Sequence, residues 1–183
     1  MRKSKLEAAR TRESIVAAAA DLIRRTGIAE ASLADMMAAA GLTHGGFYRH
    51  FRNKEQLVAE ALAAAGDKTI ATIGRHIAKG GLNALVDGYL SKSHRDSPTP
   101  ICPFAALGSE MARSGKETKG AATQVLEELF VTLAGDSPDR EEARSAAIVV
   151  LSTMIGAMTL ARVVADADLS SEILDRVKEH LHR

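Results

Sequence analysis

Leu82, Leu85, Val86, Tyr89 and Leu90 fall at i, i+3, i+4, i+7 and i+8, the spacing that lines one face of an α-helix, and this period recurs from residue 11 to residue 181. Composition agrees. Of the 183 residues, 46% are hydrophobic and weighted to Ala and Leu, whereas 3% are aromatic and four are proline, a balance that favours helices over strands. The expected fold is all-α, with about nine helices.

Glycines, prolines and capping residues divide the pattern. Ile15, Ala18, Ala19, Leu22 and Ile23 make the stripe of a first helix over residues 11–26, which Gly27 stops. Ser32 with Asp35 three residues later resembles a capping box for a short helix ending near Ala40, and Gly41 supplies a turn. Thr43 can cap a second short helix reaching His50, with Phe47 facing inward. Asn53, followed by Gln56, caps a long helix to Gly80 that carries Leu57, Val58, Ala61, Leu62 and Ala65. The stripe beginning at Leu82 is a fifth helix. A loop punctuated by Pro98, Pro100 and Pro103 follows it, and Pro103 suits the first position of a helix ending at Arg113. Gly115 breaks that helix before Ala122, Val125, Leu126, Leu129, Phe130 and Leu133 mark a seventh. Ser137 as cap and Pro138 as first residue open an eighth helix running to Ala165, and Ser170 opens a last one bearing Ile173, Val177 and Leu181. One domain boundary is expected, near residue 54, giving a head of residues 1–54 and a body of residues 55–183.

Charge separates the same two parts. Residues 1–54 hold ten Lys/Arg against five Asp/Glu, a net +5, whereas residues 55–183 are net −4. A basic head on an acidic body suits a polyanion-binding module joined to a part that avoids polyanions, although a solvated basic arm alone would give the same asymmetry. Arg2, Lys3, Lys5 and Arg10 are compatible with a disordered arm on a DNA backbone or minor groove, or with a plain solvated tail. The single cysteine, Cys102, excludes an intramolecular disulfide framework and suits a reducing cytoplasm. The N-terminal stretch lacks a signal peptide's apolar core, since residues 15–20 are mostly alanine and Asp21 follows. Residues 145–161 are uncharged but short of a span and interrupted by Ser, Thr and Gly, so they read as a buried interface helix with no membrane.

Two short helices joined at a glycine turn, residues 32–40 and 43–50, have the dimensions of a helix-turn-helix, in which the second helix enters the major groove. Ile15, Leu22, Leu33, Met36, Leu42, Phe47, Phe51 and Leu57 would buttress it. Thr11-Arg12-Glu13, Ile15, Ala18-Ala19, Leu22, Gly27, Ser32, Asp35, Ala40-Gly41-Leu42-Thr43, Gly46-Phe47-Tyr48, His50-Phe51 and Lys54-Glu55-Gln56-Leu57 closely resemble the DNA-binding signature of the tetracycline-repressor (TetR) family. The match covers about a quarter of the chain. Ile28, Ala31 and Met36-Met37 depart from the family's usual residues at packing positions, and Ala31 removes a candidate capping hydroxyl. The resemblance implies a helix-turn-helix regulator whose DNA-binding residues are Ser32, Thr43, His44, Gly45, Gly46, Tyr48, His50 and Lys54. Thr43 would reach a phosphate at the positive end of the recognition helix, and His44 is the long polar side chain able to read a base. Gly45 and Gly46 each weaken an isolated helix by roughly 1 kcal/mol relative to alanine, a cost that makes sense where the backbone must approach a base edge.

The body is expected to dimerise and to sense a small molecule. The eighth helix is apolar almost all round, so it and the ninth should form a four-helix bundle between two subunits through Ile148, Leu151, Ile155, Leu160, Ile173 and Val177. A small hydrophobic effector would sit against Tyr89, Phe104, Leu107, Met111, Phe130, Met154 and Met158 and release DNA by moving the fourth helix. Cys102, just before a helix whose dipole favours a thiolate, offers an alternative thiol- or electrophile-sensing mechanism.

Enzyme readings find little. The chain has no G-x-S-x-G, H-E-x-x-H or G-x-G-x-x-G; the phosphate-loop-like Gly115-Lys116 has Glu110 at the first required glycine and Glu117 at the Ser/Thr position. His180 and His182 point in different directions on a helix, and no metal or cofactor is expected. A structural nucleoid protein would be more basic overall and would not need the long apolar body.

Overall fold

The computed structural model describes residues 5–182. Their helical elements are α1 (Lys5–Thr26), α2 (Leu33–Ala39), a 3-10 helix (His44–Arg49), α3 (Lys54–Tyr89), α4 (Lys92–Arg95), α5 (Pro103–Arg113), α6 (Lys116–Ala134), α7 (Arg140–Val163) and α8 (Ala167–Leu181). The fold is all-α, with nine helical elements among the described residues.

Most expected elements form where capping chemistry places them. Asn53 accepts from the Gln56 amide at 2.8 Å and starts α3, while Pro103 occupies the first turn of α5. Inside α3 the backbone leaves helical geometry at Gly80 (φ −170°, ψ 30°) and Gly81 (φ 67°, ψ −157°), so the expected fourth and fifth helices are two segments meeting at a kink.

Other boundaries differ. α1 begins at Lys5, which puts Lys5 and Arg10 on the helix, not on an arm; Arg2 and Lys3 lie outside the described residues. The loop after Leu90 contains α4, capped by Ser91. α7 starts at Arg140 because the Asp139 carboxylate, not Ser137, receives the Glu142 amide at 3.0 Å. α8 starts at Ala167 because Asp166 accepts from the amides of Asp168 and Leu169 at 2.8 and 2.9 Å. In each case a carboxylate is the stronger acceptor at the positive end of a helix. Ser170 is buried and instead donates to the Ala161 carbonyl at 2.6 Å, tying α8 to α7.

Two cores hold the elements together. The first joins Ile15, Ala19 and Ile23 of α1, Met36 and Met37 of α2, Phe47, Phe51 and the first turns of α3. It also takes Leu107 and Met111 from α5, so the packing of the head runs past residue 54 into the body. The second core lies among the C-terminal half of α3 and α5, α6, α7 and α8, around Ile73, Val86, Leu90, Leu129, Leu151 and Leu174.

Candidate nucleic-acid interface and sensor core

The head is organised by reciprocal capping. The Asp35 amide donates to Ser32 Oγ at 3.1 Å, and the Ser32 amide donates to the Asp35 carboxylate at 3.2 Å, so the box at the start of α2 is complete. The Ser32 hydroxyl first, and then its amide, both donating to the carboxylate, hold the Asp35 carboxyl below its ordinary range. Gly41 turns the chain at φ 71°, and the Leu42 amide returns to the Met37 carbonyl at 2.9 Å.

The recognition segment is a 3-10 helix instead of an α-helix. Two of its six residues are the adjacent Gly45 and Gly46, which disfavour a regular α-helix. Thr43 stands in the capping position with extended backbone (φ −85°, ψ 151°), but its hydroxyl caps nothing. This corrects the expected capping role and leaves that exposed hydroxyl facing outward.

Phe47 anchors the segment, fully buried and stacked on Phe51 at 5.6 Å. Thr43, His44, Gly45, Tyr48 and Arg49 are exposed above it. Tyr48 is 70% exposed, with its ring edge-on to Phe47 at 5.1 Å and to His44 at 6.5 Å. A Cβ at Gly45 would meet no atom within 4 Å, and one at Gly46 only Met37 Cε at 3.7 Å. Nothing inside the chain therefore requires glycine at either position.

Two further residues hold the segment in place. Arg12 of α1 donates through Nε to the His50 carbonyl at 3.3 Å, pairs with Glu60 of α3 through both terminal nitrogens at 2.5 and 2.6 Å, and lies 4.6 Å over the Phe51 ring. Sequence reasoning quoted Arg12 within the signature but gave it no role, because its partners lie 38 and 48 residues away. Lys54 Nζ donates to the Ile28 carbonyl at 2.8 Å and more distantly to that of Ala29 at 3.5 Å, so this cation braces the α1–α2 turn. Ser32 is exposed at the start of α2, and His50 is half-buried at the end of the recognition segment. The exposed Arg49 was missed as a candidate; its basic charge beside Tyr48 was the available signal.

In the body, the expected effector wall is divided. Leu107 and Met111 belong to the first core, whereas Tyr89, Met154 and Met158 belong to the second; Phe104 packs against both and Phe130 against the second. These seven residues thus do not line one cavity. An apolar cavity of about 290 Å³ lies instead among Ile77, Leu82, Leu133, Ala147 and Val150, and Phe130 borders another of about 380 Å³ with Val131 and Arg144.

Cys102 is fully buried, and burial pushes its thiol up. The Tyr89 hydroxyl, the amides of Ala105 and Phe104 at the start of α5, and Arg162 act the other way but more weakly. The expected thiolate is therefore not favoured: desolvation outweighs the helix terminus.

One face of α7 remains uncovered. Val149, Leu160 and Val163 are 59%, 56% and 75% exposed, with Ile148 at 38% and Leu169 of α8 at 45%. Leu151, expected at a subunit interface, faces its own subunit's core at 1% exposure, and Ile155, Ile173 and Val177 pack half-buried against that core. A periodicity reading identifies the apolar faces of a helix without saying which one the subunit itself covers. α7 is also long and apolar enough, by length and composition, to cross a membrane; about a third of that stretch is buried, where α7 packs against α5, α6 and α8. No cluster of metal-binding side chains occurs among the described residues.

A helix-turn-helix with an exposed polar and glycine-bearing recognition segment, seated on an all-helical body, defines a DNA-binding regulator. Residues 15–61 match the family described as bacterial regulatory proteins, tetR family. The chain is 32% identical over 170 residues to an uncharacterized HTH-type transcriptional regulator of Mycobacterium tuberculosis, covering 85% of this chain and 86% of that protein. It is 43% identical over 58 residues to the HTH-type transcriptional regulator TtgR of Pseudomonas putida, covering 32% of this chain and 28% of TtgR. A TetR transcriptional regulator from Chloroflexus aurantiacus superposes with a TM-score of 0.74 at 27% identity, over 96% of this chain and 94% of that one. The chain belongs to the TetR family, and it is a transcriptional regulator, not an enzyme.

Proposed function

We propose that the chain is a repressor that binds a palindromic operator as a homodimer and leaves it when a small, mainly apolar effector enters the body. The observation that carries the DNA-binding part is the outer face of the recognition segment: Tyr48 exposed over buried Phe47, beside two glycines that no internal contact requires. Glycines with open space around them suit a segment that lies close against a base edge or a thymine methyl. His44 would read bases, and Ser32, Thr43, Tyr48 and His50 would contact or position the phosphate backbone. Lys54 has two of its three N–H donors directed at the carbonyls of Ile28 and Ala29, which leaves one for a phosphate.

Residues 1–54 serve as the DNA head, and residues 55–183 as the dimerisation and sensor body. The exposed apolar face of α7, with Ile148, Val149, Leu160 and Val163, is the surface a second copy would cover, joined by Leu169 of α8. Two-fold symmetry then sets half-sites about 34 to 36 Å apart, or a multiple of that. The effector would enter the second core, where Tyr89, Phe104, Phe130, Met154 and Met158 come together and thioether side chains can repack. Release requires that it bind the DNA-incompetent arrangement more tightly than the competent one.

Footprinting on the DNA upstream of the protein's own gene tests the reading. A symmetric protected site is expected; the absence of any symmetric site there or elsewhere in the genome would overturn it.

A further inference from the structure

Deep in the second core, three polar side-chain atoms meet no nitrogen or oxygen partner within the protein: His94 Nε2, Arg162 Nη1 and Tyr89 Oη, whose neighbour is the weakly hydrogen-bonding Cys102 thiol. Tyr89 and His94 are only 7% and 6% exposed, and their rings meet edge-to-face at 4.7 Å. Arg162, in the last turn of α7, reaches the same place, donating through Nη2 to the His94 carbonyl at 2.7 Å and through Nε to that of Arg95 at 3.1 Å. Buried polar atoms are nearly always paired, and three orphans of complementary type in one spot suggest a partner from outside the chain.

We propose that Tyr89 Oη, His94 Nε2 and Arg162 Nη1 form the polar end of the effector site, and that they take a hydroxyl group carried on an apolar molecule. The inference rests on the reading of the body as an effector-binding domain and names the chemistry of that ligand.

The donor and acceptor types decide the group. His94 Nδ1 lies 2.7 Å from the Tyr89 carbonyl, an acceptor only, so the proton of the neutral ring sits on Nδ1 and Nε2 presents a lone pair. Burial favours that neutral ring. Arg162 Nη1 presents only donors, and Tyr89 Oη can do either. The complement is an oxygen with one proton for His94 and two lone pairs for Arg162 and Tyr89, which is a hydroxyl. A carboxylate would bring lone pairs against Nε2. An ammonium would bring a second positive charge to Arg162 and offer Nη1 no acceptor.

The side chains around the three atoms are apolar. Leu90, Met154, Met158 and Leu174 belong to the same core, and Met158 sits one turn before Arg162 on α7. The site also lies at the start of α5, since Cys102, its capping residue, neighbours the Tyr89 hydroxyl. A ligand seated there would press on the helix whose other end contacts the DNA head.

The test is calorimetric titration of the full-length protein with three probes of equal chain length, octan-1-ol, octanoate and octylammonium, repeated on Tyr89→Phe. Octan-1-ol is expected to bind at least tenfold more tightly than the other two. Tyr89→Phe should remove most of that preference with little change in the melting temperature of the ligand-free protein, because the hydroxyl it deletes meets only the weakly hydrogen-bonding Cys102 thiol. Equal binding of the three probes, or a preference that Tyr89→Phe leaves intact, would overturn the proposal and leave those three atoms to a bridging water. If the variant does not fold, the ranking of the probes on the native protein decides. Operator binding separates the two readings. Tyr89-dependent binding of octan-1-ol without loss of operator affinity supports this site and overturns release by an effector. Release by apolar compounds that is indifferent to Tyr89 overturns this site and leaves effector release standing.

Discussion

Glu110 of α5 accepts a hydrogen bond from the Ala29 amide at 2.8 Å, joining the body to the turn between α1 and α2 across 81 residues of chain. The neighbouring Gly27, at φ 92°, comes so close that a Cβ there would lie 2.8 Å from Glu110 Oε1. With Lys54 Nζ on the Ile28 carbonyl, the turn that leads into the helix-turn-helix is held from both α3 and α5. Movement of the body can therefore reach the head by α5 as well as by the continuous α3.

Glu110→Ala should accordingly cost about 1 kcal/mol of stability, the worth of one net hydrogen bond. It should change the effector's power over DNA more than it changes effector binding. Operator titrations with and without a bound effector check this: the ratio of the two affinities is expected to shrink several-fold in the variant, and an unchanged ratio would assign the coupling to α3 alone.

Arg12 supports the recognition segment from below, bonding the His50 carbonyl and pairing with Glu60. Both side chains of the pair are about one-third exposed, so solvent screening limits its value, and Arg12→Ala should lower stability by roughly 1 kcal/mol. Operator affinity should fall for every sequence alike, since Arg12 orients the segment without reading bases. Binding to cognate and mismatched operators, measured in parallel with thermal melting, tests this. A selective loss at one base position would contradict a positioning role.

Gly45 gives a prediction in which stability and function move apart. Its backbone lies outside the positive-φ region and a Cβ would have open space around it, so Gly45→Ala should stabilise the free protein by about 0.5 to 1 kcal/mol. The same methyl would stand between the recognition segment and the DNA, and operator affinity should drop at least tenfold. A variant that is more stable and binds equally well would show that the glycine does not face the groove.

Much of this organisation was legible because it rests on local chemistry. The capping box of Ser32 and Asp35, the Asn53 cap and Pro103 at the start of α5 each depend on residues within a turn of one another, so spacing alone places them. The starts of α7 and α8 were misplaced because Ser137 competes with Asp139, and Ser170 with Asp166, and only the fold reveals that Ser170 is buried against Ala161. At the recognition segment the candidate residues were legible as a pattern, yet the Arg12 and Glu110 contacts join positions far apart in sequence. The polar group in the second core was not legible for the same reason. Tyr89, His94 and Arg162 come from α3, α4 and α7, and no period links them.

His94 makes the stability of the body depend on pH in a direction that can be worked out. Its pKa is lowered from the ordinary value of 6.5, first by burial and also by the positive charge of Arg162, against the opposing bond to the Tyr89 carbonyl. The unfolded chain takes up this proton as pH falls through about 6.5, while the folded chain resists until a lower pH. Between those two points the unfolded state binds more protons, so stability rises with pH there and is lost on acidification. Tyr89 and Arg162, its two neighbours there, offer the imidazolium no anion. Melting temperatures of the full protein should therefore fall between pH 7 and pH 5.5 more steeply for the native chain than for His94→Gln, in which the other histidines titrate as before. Parallel curves for the two proteins would show that His94 takes up its proton in the fold as readily as in the unfolded chain, and that the second core is open enough to solvate the charge.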